Sequence, residues 1–160
     1  MLKYFRFLLS LILVISFTEE IKATHVPGGN ITYENIGPNT FVVTLTVFED
    51  CGTAFMGNTA QTLMVSNTCG LSSPNINLPN VVFQDEVSQL CLQMIGQSEC
   101  NGGGFPGVYM HVWRDTITLP GGCDSWVFAW DGCCRNTSVN AAGGINDYYW
   151  ETVLNSVTAP

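Results

Sequence analysis

Seven cysteines carry most of the reactive chemistry in this chain: Cys51, Cys69, Cys91, Cys100, Cys123, Cys133 and Cys134. The last two are adjacent, inside WDGCCRNTSVN, and Arg135 follows them. A structural zinc site takes its thiolates from close pairs, two to four residues apart and repeated. Here the spacings are long except at the adjacent pair, and neighbouring cysteines are poor partners on one tetrahedral ion. A CxxC redox pair is also missing. The sequence therefore predicts no metal and no cofactor, and assigns the cysteines to a disulfide framework. Successive side chains of a strand point to opposite faces, so Cys133 and Cys134 are expected to enter two separate bridges rather than bond each other. Cys91 and Cys100 flank the short loop LQMIGQSE and form the easiest local pair; Cys123 and Cys133 could meet across DSWVFAWDG. Loops this short would stabilise the fold by about 2–3 kcal/mol each. Cys51, Cys69 and Cys134 carry no assignment. Seven is odd, so one cysteine is free, pairs with another chain, or has its partner past Pro160.

Acid–base chemistry has little to work with. His25 lies near the N-terminus, and His111 lies in the alternating run VYMHVWRD with the parity of Tyr109 and Trp113. That pattern predicts a half-buried strand histidine rather than a catalytic base. Neither GxSxG nor HExxH occurs. Glu49 and Asp50, and Asp85 and Glu86, are adjacent acids that strand geometry would turn apart, whereas a glycosidase needs two carboxylates facing across a cleft. CNGGGFPG lacks the flanking helix of a phosphate loop and reads as a tight turn. No catalytic residue is assigned, and the chain is expected not to be an enzyme.

The aromatics are the one hint of binding. Trp126, Trp130, Tyr148, Tyr149 and Trp150 crowd the C-terminal third, and Trp126, Phe128 and Trp130 share one strand face. They are candidate contacts for a sugar or a protein partner. The competing reading is an inward core row.

The elements that must position these residues are strands. GGNITYENIGPNTFVVTLTVFEDC holds two alternating runs around a Gly-Pro-Asn turn. QTLMVSN, SQLCLQM, GVYMHVWRDTITLP, SWVFAWDGCC and DYYWETVLN add further strands, while SSPNINLPN, CNGGGFPG and LPGGC read as connections. No segment after the leader shows a sustained helical period. The expected fold is all-β, an antiparallel immunoglobulin-like β-sandwich stapled by disulfides, with a small barrel or jelly roll as the alternative.

Residues 1–23 read as a signal peptide: Lys3 and Arg6 precede an apolar run from Phe7 to Phe17, and a small residue, Ala23, marks the cleavage site. The run is short for a bilayer span, which takes roughly 20 apolar residues. Residues 24–160 then form a single β-sandwich domain, and the odd cysteine with the abrupt end at LNSVTAP allows truncation at its C-terminus. Cleavage removes Lys3, Arg6, Lys22, Glu19 and Glu20, leaving two arginines against eleven acids, a net charge of −9. Two cations cannot build a phosphate-neutralising patch, so nucleic acid is excluded as a partner.

Three segments together carry a resemblance: ATHVPGGNITYENIGPNTFVVTLTVFEDC, CNGGGFPGVYMHVWRDTITLP and WVFAWDGCCRNTSVN. They resemble the N-terminal module of large secreted surface proteins from Bacteroidota. Such proteins often carry PKD-type or immunoglobulin-like repeats and a gliding-motility-associated sorting domain for type IX secretion. The likeness spans Thr24 to about Pro160. It implies an adhesin-like or envelope role on the outer-membrane exterior, with other surface domains, extracellular proteins or glycans as partners. It also implies Thr116, within Asp115-Thr116-Ile117, as an O-glycosylation acceptor. The expected function is a non-enzymatic exported cell-surface module of structural or interaction type. The alternatives are a carbohydrate-binding module using the Trp and Tyr side chains and, second, a small secreted hydrolase.

Overall fold

A computed structural model describes residues 26–52, 56–73, 75–133 and 147–158. The leader expected over residues 1–23, His25, Cys134 and Arg135 lie outside the described residues. Eight strands are described: β1 (Gly28–Gly37), β2 (Thr40–Asp50), β3 (Gln61–Ser66), β4 (Ile76–Leu78), β5 (Asn80–Glu86), β6 (Val108–Thr118), β7 (Trp126–Cys133) and β8 (Asp147–Leu154). They form two antiparallel sheets, ordered β1-β2-β6-β5 and β4-β3-β7-β8. The chain is an antiparallel β-sandwich stapled by disulfides.

The alternation in β2 explains the layering. Phe41, Val43, Leu45 and Val47 are buried, while Val42, Thr44, Thr46 and Phe48 are only partly so or lie on the far face. The facing layer supplies Leu63 and Val65 from β3, Trp126, Phe128 and Trp130 from β7, and Leu154 from β8. Each large apolar side chain closed off in this way stabilises the fold by about 1.5–3 kcal/mol. At the first hairpin, Pro38 and Asn39 make the turn, and Asn39 takes φ +52°, a left-handed conformation that asparagine tolerates well. One end of the sandwich therefore holds this turn. The other holds the start of β1, the end of β2 and the start of β6, since Gly28 pairs with Phe48 and Asp50 with Val108.

Two sequence expectations need correction. SQLCLQM is not a strand: residues 87–91 have no regular structure, and the chain then winds into 3-10 turns at Ile95–Gln97 and Glu99–Asn101. Its period-two pattern misleads because Leu92 projects into solvent, 83% exposed. The strands sit earlier: β4 lies inside SSPNINLPN, the stretch read as a connection, and β5 starts at its last residue, Asn80. Pro79 separates β4 from β5, so the chain changes sheets there, and the Arg114 backbone N–H donates to the Pro79 carbonyl. β5 is irregular, with Gln84 at φ +54° and register shifts on both sides of Val82. Such bulges are common on edge strands.

Candidate functional site

Two disulfides pin opposite ends of the sandwich. Cys51 follows β2 and bonds Cys100 across 49 residues of sequence; Cys69 follows β3 and bonds Cys123, just before β7, across 54. Closing loops of that size stabilises the folded chain by about 4 kcal/mol each in the chain-entropy account. Cys133 is disulfide-bonded, and the expectation of separate bridges at Cys133 and Cys134 falls on Cys134, outside the described residues. Cys91 is free and exposed. The expected local pairs do not form. Cys100 is turned under Gly107 toward the end of β2, where the Cys51 N–H donates to the Gly107 carbonyl at 2.9 Å. Cys123 and Cys133 lie at opposite ends of β7, which spans roughly 23 Å at its ordinary rise per residue, far beyond the reach of a disulfide. Cys69, Cys123 and Asp124 also cluster with their ligand atoms within 4.8 Å. Both sulfurs are consumed by the Cys69–Cys123 bond, so these are not thiolate ligands. Bridges of this kind persist in an oxidising compartment.

His111 differs from its sequence expectation: it is fully buried, and it is paired. Its Nε2 stands 2.9 Å from Oε2 of Glu49, and both side chains are closed to solvent. The indole of Trp113 stacks on the imidazole at 5.7 Å, and Phe83 of β5 meets it edge-on at 5.3 Å. His111 Nδ1 and Glu49 Oε1 have no hydrogen-bond partner among the described residues. A carboxylate and an imidazole at this distance can share a proton, yet neither lines any of the four described pockets. Sequence reading missed Glu49 as the partner. The available signal was parity: Glu49 is the next residue on the buried face after Phe41, Val43, Leu45 and Val47.

The aromatic candidates divide. Trp126 and Trp130 are core residues, with Trp126 Nε1 donating to the Gly121 carbonyl and Trp130 Nε1 to Gln61 Oε1. A satisfied, buried indole offers nothing to a ligand. Trp150 and Tyr148 are half-buried and Tyr149 is exposed. Trp150 stacks on Trp130 at 5.0 Å, and Tyr148 lies against Trp150 at 5.1 Å. The Trp150 ring occupies the space a side chain would need at Gly29, so a glycine there lets β1 approach β8. Between the starts of these two edge strands lies a cleft of about 310 Å³, walled by Pro27, Gly28 and Gly29 on one side and Asp147 to Trp150 on the other. The Tyr149 hydroxyl donates to Glu151 Oε2 at 3.0 Å, and that bond holds its phenol above the ordinary tyrosine pKa.

At the same end, Glu86 organises the 88–107 loop. Ser88 Oγ donates to one carboxylate oxygen at 2.9 Å, and Asn101 Nδ2 to the other at 2.7 Å. Hydrogen bonding, chiefly from Ser98, holds the Glu86 pKa below its ordinary value. Thr116 is exposed on β6, with its backbone N–H bound to Asp115 Oδ1. No helix among the described residues is long and apolar enough to cross a membrane. No family model matches this chain, and no curated protein or solved structure matches it either.

Proposed function

We propose that the chain is a non-enzymatic, exported cell-surface module whose task is interaction or display. The observation that carries this reading is the pair of long-range disulfides at opposite ends of one sandwich. They suit a small domain that must hold its shape outside the reducing interior. The leader-like residues 1–23 and the net charge of −9 agree with export. The resemblance to Bacteroidota surface proteins extends the reading to the outer-membrane exterior, with Thr116 as an exposed glycan acceptor. The strand order supports an immunoglobulin-like sandwich: lettered in chain order with β4 as C′, the sheets read ABED and C′CFG. The Cys51–Cys100 bond departs from antibody domains, where strand B is tied to strand F. Expression with the native leader, followed by protease shaving of whole cells, tests the proposal. Release of peptides from residues 24–160 supports it; complete protection in intact cells opposes it.

A second reading, carbohydrate binding, is favoured by the cleft between β1 and β8, where Tyr148, Tyr149 and Trp150 offer faces of the kind sugars stack on. It predicts that glycan retention on an array is lost in Tyr149→Ala and kept in Thr116→Ala. Equal retention by wild type and Tyr149→Ala removes the aromatic cleft from consideration.

A further inference from the structure

Arg114 is the sole lysine or arginine among the described residues, which contain eleven carboxylates. It forms no ion pair with any of them; the one ion pair described is His111 with Glu49. Its Nε donates to Thr44 Oγ1 at 3.0 Å. That bond draws the guanidinium toward β2 and leaves four N–H donors of the fork without a hydrogen bond among the described residues. Strand register builds a polar field around it on the outer face of the β1-β2-β6-β5 sheet. Thr32 stands beside Thr44 and Thr44 beside Arg114; Asn30 stands beside Thr46. Glu34 lies one pleat further along β1. These groups and Tyr33 line a concavity of about 510 Å³, the largest of the four described. The side chains of Asn30, Thr32, Glu34 and Thr46 make no hydrogen bond among the described residues, so donors and acceptors alike face outward unspent.

The geometry points to a binding site for a uronic-acid residue of an acidic polysaccharide. An oriented guanidinium fork is matched to a carboxylate in a bidentate pair. Threonine hydroxyls and the Asn30 amide can both give and accept hydrogen bonds, as ring hydroxyls require, and Glu34 accepts from further hydroxyls. The open sheet face admits a polymer lying across it. A polyphosphate backbone is disfavoured, because it offers no ring hydroxyls to the side chains of Asn30, Thr32, Thr44 and Thr46. The site is separate from the aromatic cleft and does not depend on it.

An oligogalacturonate is the direct probe, titrated by calorimetry into the disulfide-intact chain at low ionic strength. Saturable binding is expected, weakening with added salt. Arg114→Gln should reduce affinity at least tenfold and Thr46→Val several-fold, with Leu92→Ala, at an exposed loop position away from this face, unchanged. Both site residues are on the outer face, and a thermal melt confirms that each variant folds. A neutral galactose oligomer should bind far more weakly. The proposal is overturned by absent oligogalacturonate binding, by equal binding to Arg114→Gln, or by the neutral oligomer binding as well. It is also overturned if a peptide with a free C-terminal carboxylate binds this face more tightly, which would make it a peptide site.

Discussion

Glu49 and His111 hold each other across 2.9 Å on the inward face of β2 and β6, and neither touches solvent. Removing one partner from such a pair leaves a buried polar group without compensation, at a cost of about 3–5 kcal/mol. Glu49→Leu and His111→Phe are each expected to destabilise by about 3 kcal/mol in urea unfolding. The double variant should recover most of that loss, since an apolar pair of similar volume fills the same space. Single variants within about 1 kcal/mol of wild type would mean that the pair contributes little.

Disulfide connectivity gives a second prediction. Non-reducing peptide mapping should recover Cys51 joined to Cys100 and Cys69 joined to Cys123, with Cys91 alkylated in the native protein. Cys51→Ser or Cys69→Ser should each cost about 2–5 kcal/mol, and Cys91→Ser should change stability by about 0.5 kcal/mol or less. A recovered Cys91–Cys100 peptide would contradict the loop geometry.

The aromatic side chains should separate by depth. Trp130→Ala should cost about 3–5 kcal/mol, as expected when a large buried ring is deleted. Tyr149→Ala, on an exposed ring, should stay within about 0.5 kcal/mol. Equal losses in the two variants would place Tyr149 in the core.

Two titrations have opposite signs. Glu86 is depressed in the folded chain, so its contribution to stability is present above its unfolded pKa and lost as pH falls through the folded value. Ser98→Ala should move the Glu86 midpoint upward in a carboxylate NMR titration. Tyr149 is raised, so its contribution is present below the unfolded tyrosine pKa and lost as pH rises through the folded one. Glu151→Gln should lower its ultraviolet titration midpoint; an unmoved midpoint would mean the hydroxyl bond is not formed in solution.

Much of the fold was legible in the sequence because period-two alternation is a local property. β1, β2, β3, β6, β7 and β8 all follow their runs closely. β5 was hidden by Pro79 and by the bulge at Gln84, which interrupts the alternation. SQLCLQM carried the right period for the wrong reason, since Leu92 faces water. The disulfides were illegible for a different cause: Cys51 meets Cys100 only after β2 and β6 pair, and nothing local encodes that. The outward polar field around Arg114 depends likewise on three strands in register. The inward fate of Trp126 and Trp130 was one of two readings, and the opposing sheet decided between them.

The most direct test of export is the intact mass and thiol state of the chain recovered from cells that express it with its own leader. The account predicts a chain found outside the cytoplasm, beginning at Thr24, with Cys51–Cys100 and Cys69–Cys123 oxidised. Retention in the cytoplasm with residues 1–23 intact and those four thiols reduced would contradict it.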